Sequence, residues 1–228
     1  MTNYKICPFC EEPIKVEIFG EHFEKHGKKK ETDLVLRTKI FEDAEQSLKS
    51  KGADDGLSFD FEVAKRVFSE IEKIDTSDYN YILDSEYPDL MSRATVSVPS
   101  PYSPIMCTFR YKIRDKKLFE KVLKKYEGTP KEQVLKGMVS DHTKTIMVFQ
   151  SEYVRSLLEW KSKGMTNSDI MVITTFFFLH EMYHIIGYGE RDSDIKASNA
   201  IFKIFGQLVS IPEHEITRWK YEEEKGFV

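Results

Sequence analysis

Residues 174–194 read TTFFFLHEMYHIIGYGERDSD and contain the pattern that decides the fold. The apolar run at residues 170–179 has the length and composition of a buried helix, but polar residues that are costly to bury follow it directly. His180 and His184 lie one helical turn apart and share a face, while Glu181 is displaced from His180 by about 100°. We interpret the apolar run as the packed support that holds these three side chains rigidly.

The H-E-x-x-H spacing of these residues suits zinc chemistry. His180 and His184 can each give a ring nitrogen to one Zn²⁺, while Glu181 reaches a zinc-bound water without ligating the metal. Zinc lowers the pKa of that water to around 7, so Glu181 can accept its proton as general base and later protonate the leaving amine. The pattern therefore predicts a zinc-dependent enzyme that hydrolyses peptide bonds.

A catalytic zinc site needs a third protein ligand, and the candidates after His184 are Glu190, Asp192 and Asp194. Two registers each place one of these acids at the metal. In the first, the pattern continues as H-E-x-x-H-x-x-G-x-x-E, with Gly187 at a turn and Glu190 as the ligand. In the second, a chain reversal near Gly189 brings His184 and Asp194 to a similar depth in a helical hairpin, at about 1.5 Å rise per residue. We expect Asp194 to be the third ligand and keep Glu190 as the alternative. The acid that is not a ligand would be a helix N-terminal residue favoured by the helix dipole.

The stretch resembles the active-site helix of zincin metallopeptidases. The first register is similar to that of metzincins, with Glu190 where their third histidine lies. The second register resembles the E-x-x-A segment of compact gluzincin-like peptidases such as the ImmA/IrrE and SprT-like groups, with Asp194 in place of the glutamate. The resemblance implies a mostly helical zincin-like catalytic domain with a small sheet.

A second group with metal-ligand spacing lies near the N-terminus. Cys7 and Cys10 are joined by a CPFC turn, and His22 and His26 lie on one face of a predicted helix. Thiolate and imidazole are ligands that tetrahedral zinc prefers. The segment resembles a C2H2 zinc finger of ββα fold, one residue shorter than usual between the second cysteine and the first histidine. It predicts a structural zinc ion.

The exposed residues of this segment indicate which partners it could bind. Ile14 and Phe19 have the spacing of the small core between hairpin and helix. Glu17, Glu21 and Glu24 occupy the exposed positions, where their carboxylates would repel phosphate groups. We therefore rank a structural or protein-docking role above nucleic-acid binding, which would be weak.

The remaining pattern predicts an α+β protein. Helical spacing is found at residues 34–50, 59–74, 115–126 and 152–161, and a last helix is predicted from about residue 191 or 193 to 209. Strands are predicted at residues 94–98, 106–113 and 145–149, the last being either sheet core or an edge strand that aligns substrate. A polar tail is predicted after Pro212. The predicted domains are a zinc finger with a basic tether at residues 1–30 and a catalytic domain at residues 31–228.

Composition limits the classes of function. The 228 residues are 40% hydrophobic and 32% charged with a net charge of −4, which suits a soluble globular protein and does not favour binding to nucleic acid or an anionic membrane. The first ten residues lack the apolar segment of a signal peptide, and residues 170–179 are too few to span a bilayer. We therefore predict a cytoplasmic protein without membrane contact.

Together these patterns predict a zinc metallopeptidase with one catalytic and one structural zinc ion, acting on a protein or peptide substrate. The alternative is a catalytically inactive zincin-like protein that regulates or binds protein or nucleic acid through its zinc finger.

Four further side chains could stabilise the oxyanion of the reaction: Tyr183, Tyr188, His142 and His214. For each of them a structural role is the better expectation.

Overall fold

The computed structural model describes residues 2–26, 33–51, 55–89, 96–97, 105–108, 112–113, 116–138 and 144–225. These residues form a mostly helical α+β structure, as the sequence predicts. The chain folds as two compact units. The first unit combines Met1–Thr76 with Asn167–Val228, and the second unit is Ser77–Thr166.

The elements follow one another along the chain in three stretches. The N-terminal stretch holds the strands β1 (Asn3–Ile6) and β2 (Pro13–Lys15), a 3₁₀ turn (Val16–Ile18) and the helices α1 (Phe19–Glu24), α2 (Leu34–Lys51) and α3 (Gly56–Glu72). The second unit holds β3 (Asn80–Leu83), a 3₁₀ turn (Asp84–Glu86), β4 (Val96–Ser97), β5 (Met106–Thr108), β6 (Lys112–Ile113), α4 (Lys116–Lys125), α5 (Pro130–Met138), β7 (Thr145–Val148) and α6 (Gln150–Ser162). The C-terminal stretch holds α7 (Asn167–Ile185), α8 (Glu190–Phe205), β8 (Ser210–Pro212) and α9 (Glu213–Lys225).

Helix α7 is apolar around most of its circumference because other elements cover it. It packs against α3 and α8, and most of its central residues are buried. The ring centroids of Phe61 and Phe178 are 5.0 Å apart, as are those of Phe68 and Tyr183. A helix of this kind is stable only in a protein core, so its packing holds the H-E-x-x-H residues at its C-terminal end.

A short turn connects α7 to α8. Gly187 lies in this turn with a φ of +103°, a left-handed conformation that side chains other than glycine rarely adopt. Because the turn takes up residues 186–189, Glu190 is the first residue of α8 and lies beside the last turns of α7. The turn thus decides which acid faces the histidines.

The N-terminal segment shares a sheet with the C-terminal part of the first unit. Strand β1 lies between β2 and β8 and is antiparallel to both, with Tyr4 opposite Ile211 in the β8 pairing. The rings of Phe9 and Phe23 also contact Phe202 of α8, with centroid distances of 6.2 and 6.0 Å. The ββα segment is therefore packed into the first unit.

In the second unit, β7 is flanked by β3 on one side, in parallel, and by β5 on the other, antiparallel. All of β7 is buried, so it is sheet core, and the alternative of a substrate-aligning edge strand is wrong. The strand predicted at residues 106–113 is divided between β5 and β6, and β6 pairs with β4 instead. Residues 109–111 of that prediction lie outside the described residues.

The C-terminal segment differs from its prediction as a polar tail. It forms α9, and Ile216 and Trp219 are buried on one face of this helix. Their three-residue spacing is helical, and the acids Glu213 and Glu215 in the first turn suit the helix dipole. Among the described helices, none combines the length and apolar composition needed to cross a membrane.

Candidate metal centres

The C-terminal end of α7 brings its two histidines together. The Nε2 atoms of His180 and His184 are 2.9 Å apart, and only 13% and 16% of the respective side-chain surfaces are exposed to solvent. Glu181 is buried and offers a carboxylate oxygen within 4.8 Å of one ring nitrogen of each histidine. The three predicted residues thus form one group that could hold a metal ion.

Glu190 faces this group. Its Oε2 atom lies 3.2 Å from Nε2 of His180 and 3.3 Å from Nε2 of His184. Around a tetrahedral zinc ion with bonds of about 2.0–2.1 Å, ligand atoms are about 3.3 Å apart. The two nitrogens and the oxygen therefore have nearly the separations of one face of a zinc tetrahedron.

Asp194, the acid that the sequence favours as third ligand, contacts the other ring nitrogen of His180. Its Oδ1 atom is 2.7 Å from Nδ1 of His180, the ring nitrogen that points away from His184 and Glu190. The preference for Asp194 places the centre of the reversal near Gly189, so that His184 and Asp194 lie at a similar depth. In the structure the turn is formed by residues 186–189, and its centre lies before Gly189. Glu190 therefore reaches both histidines, and Asp194, one helical turn further along, reaches Nδ1 of His180.

The hydrogen bonds of the outer ring nitrogens determine where the protons lie. The backbone oxygen of Tyr188 can only accept, so Nδ1 of His184, 2.9 Å away, donates to it. Likewise Nδ1 of His180 donates to the Asp194 carboxylate. Held in this way, each ring directs its Nε2 at Oε2 of Glu190. A charged ring can donate its second proton to that oxygen, and a neutral ring can ligate a cation there instead, as in metal sites whose histidines are held through the other nitrogen.

Electrostatics favour an ionised Glu190. Burial alone would raise the pKa of Glu190, but its hydrogen bonds with His180 and His184 lower it well below the usual range. Burial would lower the pKa of His180, but the carboxylates of Asp194, Glu190 and Glu181 outweigh it and raise this pKa well above its usual value. The site therefore collects negative charge around the two rings, which suits a divalent cation.

Two residues of α9 complete the surroundings and were missed in the sequence. Arg218 donates from Nη2 to Oε1 of Glu190, the oxygen that does not face the histidines. Trp219 donates from its ring nitrogen to Oδ2 of Asp194 at 2.8 Å. The apolar spacing of α9 could have revealed the helix, but nothing local in the sequence links it to residues 190–194.

The N-terminal group is also assembled. The Sγ atoms of Cys7 and Cys10 are each 3.4 Å from a histidine Nε2, that of His26 and His22 respectively, and the two Nε2 atoms are 3.3 Å apart. Zinc bonds of about 2.3 Å to sulfur and 2.0–2.1 Å to nitrogen give tetrahedral separations of about 3.5 and 3.3 Å. All four predicted ligands therefore come together at distances that fit zinc.

The predicted core and surface of this segment are largely confirmed. Phe19 is buried and Ile14 is half-buried, while Glu17, Glu21 and Glu24 are exposed. Neither Cys7 nor Cys10 forms a disulfide bond, so both thiols are available to a metal ion.

The predicted oxyanion candidates give no further site residue. Tyr183 is buried and its hydroxyl donates to Glu72 at 2.9 Å, so it anchors α7 to α3. Tyr188 supplies its backbone oxygen to His184, and His214 is largely exposed beside Glu215 at 3.4 Å. His142 lies outside the described residues.

Comparison of the chain with protein-family models, curated proteins and solved structures finds no match. Membership of a zincin family therefore stays a prediction, and any proposal of function depends on the geometry and chemistry of the two residue groups.

Proposed function

We propose that this protein is a zinc-dependent metallopeptidase. The observation that supports it best is the triangle of Nε2 of His180, Nε2 of His184 and Oε2 of Glu190, with sides of 2.9, 3.2 and 3.3 Å. Two imidazole nitrogens and one carboxylate are a ligand set of catalytic zinc, which keeps its fourth position for water or substrate. Glu190 takes the role of third ligand, and Asp194 orients His180.

The zinc ion and the chain divide the chemistry between them. Zinc, when bound, supplies a Lewis acid that polarises a carbonyl group and makes water more acidic near neutral pH. Asp194 and the Tyr188 carbonyl hold the protons of the two histidines on Nδ1, which leaves Nε2 of each ring free to ligate. The charge of Glu190 adds an anionic ligand to two neutral ones.

Glu181 carries the proton in this proposal. Its carboxylate accepts a proton from the attacking water, whose oxygen bonds to the carbonyl carbon of the substrate. The same carboxyl group then gives the proton to the leaving nitrogen as the carbon–nitrogen bond breaks, so a carboxylic acid and an amine result. A carboxylate oxygen of Glu181 lies within 4.8 Å of a ring nitrogen of each histidine, and the residue is buried, which suits proton transfer over a short distance.

The N-terminal group holds a second, structural zinc ion in this proposal. Four protein ligands close its coordination, as in structural zinc sites, and no position is left for a substrate. Packing of Phe9 and Phe23 on Phe202 supports an internal role for the segment. The proposed partner is accordingly a protein or peptide substrate, bound at the H-E-x-x-H site.

The substitution Glu181→Gln tests the enzyme proposal. We expect the variant to keep both zinc ions and the wild-type unfolding temperature but to lose peptide hydrolysis by at least about 100-fold, because glutamine cannot accept the proton. Cleavage is measured by mass spectrometry on a mixed peptide library, with zinc content determined in parallel. Glu152→Gln, in the second unit, is the matched control.

Two outcomes would contradict the proposal. If the Glu181→Gln variant cleaved peptides at the wild-type rate, Glu181 would be excluded as the general base. Zinc bound only at the N-terminal group of the wild type, with no cleavage of any library peptide, would favour the catalytically inactive alternative.

A further inference from the structure

Helix α9 contacts the H-E-x-x-H site, which is the candidate catalytic centre, through two residues that are adjacent in the chain. Arg218 and Trp219 follow one another in the chain and each reaches a different acid of α8. The acids Glu190 and Asp194 are four residues apart and lie on one face of that helix. Two adjacent side chains of α9 therefore hold both of the acids that contact the histidines.

Arg218 acts on the orientation of Glu190. A carboxylate that ligates through one oxygen can rotate unless its second oxygen is held. Oε2 of Glu190 faces the two histidines, and Arg218 binds Oε1. The guanidinium also lies 3.5 Å from Oε2 of Glu215 through Nη1, so its two arms are tied to two acids. Because the two arms of this fork are held by different acids, the guanidinium keeps its orientation and presents Nη2 to Oε1 of Glu190 from a fixed position.

Trp219 acts on Asp194 in the same manner. Its indole N–H binds Oδ2 at 2.8 Å, while Oδ1 accepts from His180 at 2.7 Å. Trp219 is buried, so its ring nitrogen is held by packing and cannot exchange its partner for water. The relay from Trp219 through Asp194 to His180 sets the plane and the protonation of the imidazole.

The position of α9 is itself determined by the N-terminal segment. Strand β8 pairs with β1 and runs directly into α9, and the backbone N–H of Glu213 donates to the oxygen of Thr2 at 3.1 Å. The first turn of α9 is thus attached to the strand that precedes Cys7.

We propose that Arg218 and Trp219 are positioning residues of the candidate catalytic centre, which hold Glu190 and His180 in the orientation that binds metal. This inference rests on the proposed metal site. This positioning role gives α9 a function beyond packing, because a helix that only covered the core would not need hydrogen-bond donors directed at both Glu190 and Asp194. It also explains why β8 anchors α9 at its first residue.

The test compares the two metal groups of the same chain. Zinc content is measured in wild type, Arg218→Ala, Arg218→Lys and Trp219→Phe over a series of chelator concentrations, and the visible spectrum of Co²⁺-loaded protein reports the ligand geometry. We expect Arg218→Ala and Trp219→Phe to weaken binding at the H-E-x-x-H site by about 10- to 100-fold and to leave the N-terminal site unchanged. Arg218→Lys should restore part of the loss, because lysine keeps the charge without the fork.

Matched controls separate positioning from general effects of substitution. Arg155→Ala and Trp160→Phe on α6 remove the same groups from the second unit, where the Arg155 side chain is 74% exposed. In an Asp194→Asn background, which keeps measurable zinc binding, Trp219→Phe should have little further effect, since its action passes through Asp194. Should Arg218→Ala fail to fold, Arg218→Lys and Trp219→Phe still provide the comparison.

The inference fails if the α9 variants bind zinc at the H-E-x-x-H site as tightly as wild type. It also fails if both sites weaken equally, because that result describes a loss of fold and not of orientation. These results differ from failure of the proposed function, in which wild-type protein itself holds no metal at His180 and His184.

Discussion

Replacing Asp194 by asparagine changes one side-chain oxygen into an amide nitrogen and leaves the shape almost unchanged. In the wild type both oxygens accept hydrogen bonds, Oδ1 from His180 at 2.7 Å and Oδ2 from Trp219 at 2.8 Å. Asparagine offers one accepting oxygen and one donating NH₂ group. One of its two neighbours must therefore meet a donor where it had an acceptor.

Both ways of placing the amide are unfavourable. If its oxygen faces His180, the buried Trp219 N–H loses its acceptor; if its oxygen faces Trp219, His180 must carry its proton on Nε2, where it blocks the metal-binding lone pair. Loss of a hydrogen bond to a charged group costs about 1.5–3 kcal/mol. Loss of such a partner of a ligating histidine weakens metal binding by about 10- to 100-fold, or about 1.4–2.7 kcal/mol. We expect zinc affinity at the H-E-x-x-H site to fall within this range.

Chelator competition with zinc analysis measures the change, and Asp192→Asn, at an exposed position of the same helix turn, is the control. A loss as large as that of His180→Ala would mean that Asp194 is itself a ligand and would refute the assignment of Glu190. Unchanged affinity would refute the claim that Asp194 orients His180.

Three further predictions address other parts of the molecule. Glu190→Gln should lose the zinc ion at the H-E-x-x-H site and keep the N-terminal one, because a neutral amide replaces the anionic ligand; zinc analysis decides, and two retained ions would contradict it. Cys10→Ser should lose the N-terminal zinc and lower the unfolding temperature, measured by circular dichroism, since the segment carries β1 against β8; an unchanged melting temperature would show that this zinc does not stabilise the fold. Burial raises the pKa of Asp60 to about 8, and the hydrogen bond with Thr174 opposes this shift. Asp60 therefore loses its proton near pH 4 in the unfolded chain but only near pH 8 in the folded protein, so the free energy of unfolding falls as pH rises from about 4 to about 8. Asp60→Asn should therefore gain more stability at pH 8 than at pH 5.5 in urea denaturation, and an equal gain at both values would exclude the proposed burial effect.

Much of the candidate site could be predicted from local spacing. Pairs of ligands four residues apart on a helix, or three apart in a turn, come together whenever the local element forms. For this reason His180, His184 and the four N-terminal ligands are found in the groups that the sequence predicts. The apolar run before His180 likewise predicts a buried helix, and α7 is one.

The choice between Glu190 and Asp194 could not be made from spacing. The choice depends on where α8 begins. A shift of a few residues at that boundary exchanges the acid that faces Nε2 of His180 for the acid that faces its Nδ1. Both acids occupy the same helix face, so hydrophobic periodicity does not separate them. The positive φ of Gly187 and the four-residue turn decide the outcome.

The roles of α9 and β8 depend on contacts between distant parts of the chain. Pairing of β1 with β8 joins residues about two hundred positions apart, and no local pattern encodes such a partner. The polar composition after residue 212 suggests a tail, whereas Ile216 and Trp219 suffice to bury one face of a helix. Arg218 becomes recognisable as a partner of Glu190 only once that helix is in place.

Zinc analysis of purified wild-type protein beside His184→Ala is the decisive test of the proposed metal site. We expect two zinc ions per chain in the wild type and one in the variant, with the N-terminal ion retained, because His184 belongs to the H-E-x-x-H group alone. One zinc ion per chain in both proteins would exclude the proposed catalytic zinc, since it would leave His180, His184 and Glu190 without the metal that their geometry fits.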